Sequence, residues 1–180
     1  ALLASCGKNE DCDIVTPQPE DLVSPALYAT LSQSSTDPYN GPLEVLPCET
    51  NGSFYIGNYT AKGKQVPFPA YYLITNGIGK SQKYPLRLPV GTYNVIYWGY
   101  PDYFGTAGDA YLTDPTLIIG KKLNTTSLGL RKIPGDTVYY PIHSLVYGTQ
   151  NINIGKDDLQ AHLKHASAAL SVIVSETNGD

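Results

Sequence analysis

Leu88-Pro89-Val90-Gly91-Thr92-Tyr93-Asn94-Val95-Ile96-Tyr97-Trp98-Gly99 is the stretch whose reading decides the fold. Pro89 fixes φ and Gly91 admits positive φ, so the chain reverses sharply at this point. From Thr92 to Trp98 every residue except Asn94 favours a pleated, half-buried surface. In a strand Tyr93, Val95 and Tyr97 point to one face, and Ile96 and Trp98 point to the other. A strand apolar on both faces is covered on two sides. The pattern therefore predicts a central strand of a β-sandwich.

The composition around this stretch points the same way. At 180 residues the chain is one large domain or one domain with tails. Its aromatics are 15 Tyr against 3 Phe and 1 Trp, and Tyr suits sheets with one solvated face because it joins β propensity to a hydroxyl that can stay wet. The 17 Gly and 14 Pro make turns frequent and long helices improbable. A formal net charge of −4 with only small basic pairs, Lys121-Lys122 and Arg131-Lys132, excludes a nucleic-acid footprint. No run reaches the roughly 20 apolar residues of a spanning helix. The absence of Met, even at position 1, leads to the expectation that the sequence lacks the protein's true start.

Strands recur outward from the centre at sandwich-like spacing, with turn signals between them. Before it come Ala26–Leu31, Leu43–Pro47, Ser53–Tyr59 and Phe68–Thr75, the last ended by Asn76-Gly77, a strong hairpin signal like Asn51-Gly52. After it come short strands at Thr116–Ile119 and Asn124–Leu130, then Thr137–Tyr147, interrupted by Pro141, and Asn151–Ile154. Residues 156–165 are ambiguous: Leu159 and Leu163 at i, i+4 are compatible with one short helix. Ala168–Ser175 reads as a buried strand.

The first residues read as processing signals rather than fold. Leu3-Ala4-Ser5-Cys6 looks like a bacterial lipobox, so residues 1–6 are expected to be a signal-peptide remnant with Cys6 as the lipid attachment point. A lipid there anchors the protein to a membrane without spanning it, at about 0.8 kcal/mol per buried CH₂. The polar run after Cys6, Gly7-Lys-Asn-Glu-Asp11, is similar to the acidic signal of surface-exported Bacteroidetes lipoproteins. Residues 7–25 are then a polar tether and 26–180 the sandwich domain. Lipidation of Cys6 leaves Cys12 and Cys48, which either form one disulfide across a loop of about 35 residues or remain separate thiols.

Nothing in the chain forms a catalytic constellation, and no enzyme activity, metal or cofactor is expected. His162-x-x-His165 would share one face of a helix, but no third ligand is apparent, and two solvated imidazoles account for the pair. His143 stands apart. Asp102, Asp109 and Asp114 share a loop without a defined Ca²⁺ pattern. Tyr93, Tyr97 and Trp98 read as core, whereas Tyr100, Tyr103 and Phe104, beyond the strand end, are the candidates for a contact loop that could stack on glycans. Asp136-Thr137-Val138 resembles the short O-glycosylation motif of Bacteroidetes secreted proteins.

Leu3–Cys6, the Leu88–Gly99 stretch and Ala166-Ser-Ala-Ala-Leu-Ser-Val-Ile-Val174 together resemble the fimbrillin-associated anchor (FimB-like) family of the type V pili of Bacteroidales. The resemblance implies a transthyretin-like Greek-key sandwich of about seven or more strands, held at the outer membrane by its lipid and exposed on the cell surface. It also implies fimbrial subunits as partners, joined by strand exchange: an Arg-directed protease removes a pilin's first strand and a neighbour's extended segment replaces it. Only Arg87 and Arg131 occur here, neither near the N-terminus. That departure fits an anchor better than a polymerising stalk subunit. Family members usually carry a second sandwich of similar size, so the expectation is either a sequence cut short after Asp180 or a one-domain relative, and the usual Arg before the final Ala-rich strand is replaced by His162 or Lys164.

Overall fold

The computed structural model describes residues 16–31, 37–50, 54–82, 84–101, 112–113, 116–123, 129–130, 135, 137 and 145–166. Its strands in chain order are β1 (Leu22–Val23), β2 (Leu27–Leu31), β3 (Asp37–Pro38), β4 (Gly41–Glu49), β5 (Asn58–Tyr59), β6 (Gln65–Val66), β7 (Ala70–Thr75), β8 (Ile78–Ser81), β9 (Leu88–Pro89), β10 (Gly91–Gly99), β11 (Leu112–Thr113), β12 (Gly129–Leu130), β13 (Val146–Ile154) and β14 (Leu159–His165). Helical structure among the described residues is limited to 3-10 conformation, at Pro19–Asp21 and at Leu123.

Alternating apolar residues give most of these strands one buried face. Leu27 and Ala29 of β2, Ala70, Tyr72 and Ile74 of β7, Tyr93, Val95 and Tyr97 of β10, and Leu159, Ala161 and Leu163 of β14 all turn into one core. Burying each of the larger side chains contributes about 1.5–3 kcal/mol. The strands that share this core run β14-β13-β10-β4-β7-β8-β2, and β2 pairs again with β14, so the sheet closes into a barrel-like ring with β3 attached to β2. The neighbours are antiparallel except β2 and β14, which run parallel.

The central position of the Leu88–Gly99 stretch is as its pattern requires: β10 lies between β4 and β13. Its second face is covered too. Trp98 packs with Leu46, Tyr55 and Tyr100 in a separate cluster outside the ring, against the partly buried Leu117, Leu123 and Leu145. Gly99 has no room for a side chain, since a Cβ there would run into the Pro42 carbonyl and meet the Tyr39 hydroxyl at 2.9 Å. The turn at Asn76-Gly77 joins β7 to β8 with φ of 50° and 77°, the two positive values of a type I′ hairpin.

Five expectations change. The helix expected near residues 156–165 is strand β14. A spacing of four between Leu159 and Leu163 satisfies a period of 2 as well as one of 3.6, and Ala161 between them completes the strand alternation. Thr116–Ile119 is not a strand; Ile118–Lys121 is a turn closed by a bond from Lys121 N to Ile118 O. Asn151–Ile154 is the end of the nine-residue β13 rather than a separate element. Within the expected tether, Leu22 and Val23 pair with Pro89 and Leu88 and pack on the core. Where two opposed sheets were expected, the ring strands form one closed sheet, because β2 and β14 bridge its ends, and β1–β9, β5–β6 and β11–β12 pair as separate two-stranded sheets. The Asn51-Gly52 turn, residues 124–128 of the strand expected at Asn124–Leu130, residues 138–144 of that expected at Thr137–Tyr147, and the whole of Ala168–Ser175 lie outside the described residues.

Candidate assembly interface

Main-chain pairing is distributed unevenly around the ring. β10 and β13 match from Gly91↔Ile154 to Gly99↔Val146 without a gap. β2 meets β8 at the single position Tyr28↔Ile78. β14 meets β13 only at Val146↔His165 and Tyr147↔Lys164. Between themselves, β2 and β14 match continuously from Leu27↔Leu159 to Leu31↔Leu163. The parallel pair is thus a unit set into the gap between β8 and β13. Its inward Leu27, Leu159 and Leu163 hold it there more than its hydrogen bonds do.

Side chains complete both borders of this unit. Gln150 takes an inward position on β13, and its Oε1 accepts from the Tyr97 hydroxyl at 2.6 Å and from Gln160 N at 2.9 Å. Its Nε2 donates to Asp158 O at 3.2 Å. One carboxamide therefore stands in for main-chain pairing that β13 and β14 do not make. Burial, and secondarily the neighbouring Tyr72, raises the pKa of Tyr97 well above its ordinary value, so it stays a neutral donor. On the outer side Thr30 Oγ1 and His162 Nδ1 lie 3.0 Å apart across the parallel seam. Tyr28 and Ile78, opposite one another at the single β2–β8 position, are both exposed, at 42% and 60%.

A groove of about 610 Å³ lies at the end of the ring where β4 stops and β10 starts. Asn94, the one residue from Thr92 to Trp98 without β propensity, ties down two of its lining residues: Nδ2 donates to Thr50 O at 2.9 Å and to Glu49 O at 3.4 Å. Behind the groove Asn58 is buried with its amide used on both sides, Nδ2 donating to Pro85 O and Oδ1 accepting from Tyr59 N and Arg87 N. Its role is structural.

The residues singled out from sequence do not converge on one site. Tyr100 is 1% exposed and meets Trp98 edge-on, with ring centroids 6.0 Å apart, so it belongs to the outer cluster and not to a contact loop. The extra apolar cover that removes it from solvent comes from Leu117, Leu123 and Leu145, which are distant in sequence. Tyr103 and Phe104 lie outside the described residues, as do Cys6, Cys12, His143, Arg131 and Asp102, Asp109 and Asp114. Cys48 is a fully buried free thiol on β4, its pKa pushed up to about 12 by burial. His162 and His165, three apart on a strand rather than a helix, fall on opposite faces. Among the described residues no group of three or more His, Cys, Asp or Glu could hold a metal, and no helix is long and apolar enough to cross a membrane. Gln150 and Glu49 were missed, because a polar residue in an alternating strand looks like any solvated position; Asn94 gave a signal, as the one polar break in an apolar run.

A family model described as fimbrillin-A associated anchor proteins Mfa1 and Mfa2 matches residues 15–180. Neither the curated proteins nor the solved structures give a significant match. With all but the first residues matched, the chain belongs to this anchor-protein family.

Proposed function

Proceeding from that membership, we propose that this chain is an anchor or minor subunit of a fimbrium, held on the outer surface of the outer membrane by lipid on Cys6 and joined to fimbrial subunits by strand exchange. The observation that carries the fimbrial part is the family match over residues 15–180. The uneven pairing of the ring supports the mode of joining. β2 is the first strand of the ring, and it meets β8 at one position only. A segment replacing β2 would gain main-chain bonds along β14 and place alternate side chains where Leu27 and Ala29 now sit. No Arg lies between β2 and β8 in this sequence, so an Arg-directed protease has no site at which to release β2 from the ring, which suits an anchor rather than a stalk subunit. The order β10-β4-β7-β8, with β10 returning to lie beside β4, is that of a Greek key and supports a transthyretin-like ancestry for the closed sheet. The role is structural, without catalysis.

The test is affinity capture of the tagged protein from its native outer membrane, followed by mass spectrometry. Fimbrial subunits that co-purify in a heat-sensitive ladder, and loss of membrane retention in a Cys6→Ala variant, are the expected results. Recovery of the protein alone, or with glycan-uptake components, overturns the reading.

A further inference from the structure

The groove between β4 and β10 has a chemistry that neither the ring core nor the β2 seam uses. It is lined by exposed aliphatic side chains, Val90 at 65% and Ile119 at 38%, together with Pro89. Such side chains left in water at the mouth of a concavity mark a surface for a partner rather than a solvated face. Three tyrosines line the walls, but Tyr55, Tyr59 and Tyr93 are each no more than 6% exposed, so no ring face is open for stacking on a sugar. Two of their hydroxyls are already used, Tyr55 donating to Pro67 O and Tyr93 to Pro89 O. The third is not. Tyr59 lines the groove, and its hydroxyl has no hydrogen-bond partner among the described residues and is not one of the buried unpartnered atoms, so it opens to solvent in the groove.

The charge in the groove is of one sign. Glu49 and Asp21 both line it, and no Lys or Arg does among the described lining residues. Asp21 accepts from Gln18 N, while the Glu49 carboxylate is exposed and unpaired among the described residues. Glu49 is fixed by its main chain: its N donates to Phe54 O and its carbonyl accepts from Asn94 Nδ2. Its main chain is thereby fixed in a groove that Val90 and Ile119 also line.

We infer that this groove docks an extended, lysine- or arginine-bearing peptide segment of a fimbrial partner subunit. Val90 and Ile119 receive its apolar side chains, the Tyr59 hydroxyl bonds its main chain, and Glu49 pairs with its cation. The inference rests on the fimbrial reading above for the source of the segment, while the peptide chemistry rests on the groove alone.

The probe is a hexapeptide of alternating valine and lysine, titrated into the full chain and followed by amide chemical shifts, with an alternating valine–glutamate peptide as control. Saturable shifts at Thr50, Val90, Thr92 and Gly120 with the lysine peptide, and binding at least tenfold weaker for the glutamate peptide, are expected. Glu49→Lys should abolish binding and Tyr59→Phe should weaken it several-fold, both with unchanged thermal unfolding, since Glu49 is exposed and the Phe ring fills the same space. Equal binding of the two peptides, or no saturable shift at the groove, overturns the inference. So does binding that emerges only when residues 1–15 are removed, which makes the chain's own leading segment the occupant, or loss of a dimer in Glu49→Lys, which makes a second copy the occupant. Capture from the outer membrane separates the two readings. If the unmodified protein brings down fimbrial subunits and Glu49→Lys does so equally well, the groove inference fails alone; if the unmodified protein brings down none, the fimbrial reading fails.

Discussion

Tyr97 donates its hydroxyl hydrogen to Gln150 Oε1 across 2.6 Å, from the central strand β10 to the border between β13 and β14. The bond sits on the inward side of the ring, where an unmatched hydroxyl has no water to turn to. It ties the best-paired strand to one of the two sparsely paired borders, so these two residues help to hold the ring closed.

Removing the two partners should therefore have unequal effects. Gln150→Ala leaves the buried Tyr97 hydroxyl unmatched and strips Gln160 N of its acceptor, and is expected to cost about 1–3 kcal/mol. Tyr97→Phe removes the donor and leaves Gln150 Oε1 its second bond, and is expected to cost about 1 kcal/mol or less. Urea midpoints of the single and double variants measure both costs. A double variant that is additive shows that the bond carries no coupling.

Gly148 faces β14 so closely that a Cβ there would lie 2.6 Å from His162 O. Gly148→Ala is expected to push β14 away from β13 and to raise amide hydrogen exchange at residues 159–163 severalfold, with β4 and β10 unchanged. Exchange that rises uniformly across the ring means that β14 does not open separately.

At the groove, Asn94→Ala frees the end of β4 by removing both side-chain bonds to the Glu49 and Thr50 carbonyls. Both carbonyls border solvent and can be rewetted, so the expected loss is small, about 0.5–1.5 kcal/mol. The larger effect falls on position: the amides of Glu49 and Thr50 should lose exchange protection while those of Leu43 and Val45 keep theirs.

Alkali should open the ring. Burial pushes the Cys48 thiol from 9.0 up to about 12 and the Tyr93 hydroxyl from 10.0 up to about 12, and it raises Tyr55, Tyr59, Tyr72 and Tyr97 as well. A raised folded value means the unfolded chain releases these protons first, so their contribution is complete below about pH 9 and declines as pH rises toward 12. Urea midpoints at pH 7.5, 9, 10.5 and 11.5 should be flat at first and then fall, and Cys48→Ala should fall less steeply between pH 9 and 10.5. Cys48 should also resist alkylation at pH 8 until the chain is unfolded. If peptide mapping finds it blocked even then, a disulfide and not burial protects it.

The residues that were easiest to read were those whose local pattern allows one answer. Asn76-Gly77 accepts two positive φ values at little cost, and that alone fixes the β7–β8 hairpin. Leu159 and Leu163 were misread because a spacing of four suits both periodicities, and no local term separates them. Tyr100 was misread for a different reason: an aromatic just past a strand end is exposed or buried according to whether another part of the chain folds over it, and here Leu117, Leu123 and Leu145 do so.

The sequence by itself determined that the chain is β throughout and that Leu88–Gly99 is its centre, because β-branched and aromatic residues on both faces of one segment can be satisfied only between two neighbours and under two covers. It also carried the family, in short apolar motifs. Closure of the sheet was decided only in three dimensions, by β2 and β14 finding one another in parallel across more than a hundred residues. So was the groove, whose Glu49, Tyr59 and Val90 come from separate segments. Pairing between distant strands depends on which edges remain open once the nearer strands have joined, and that is a property of the assembled chain, not of any window along it.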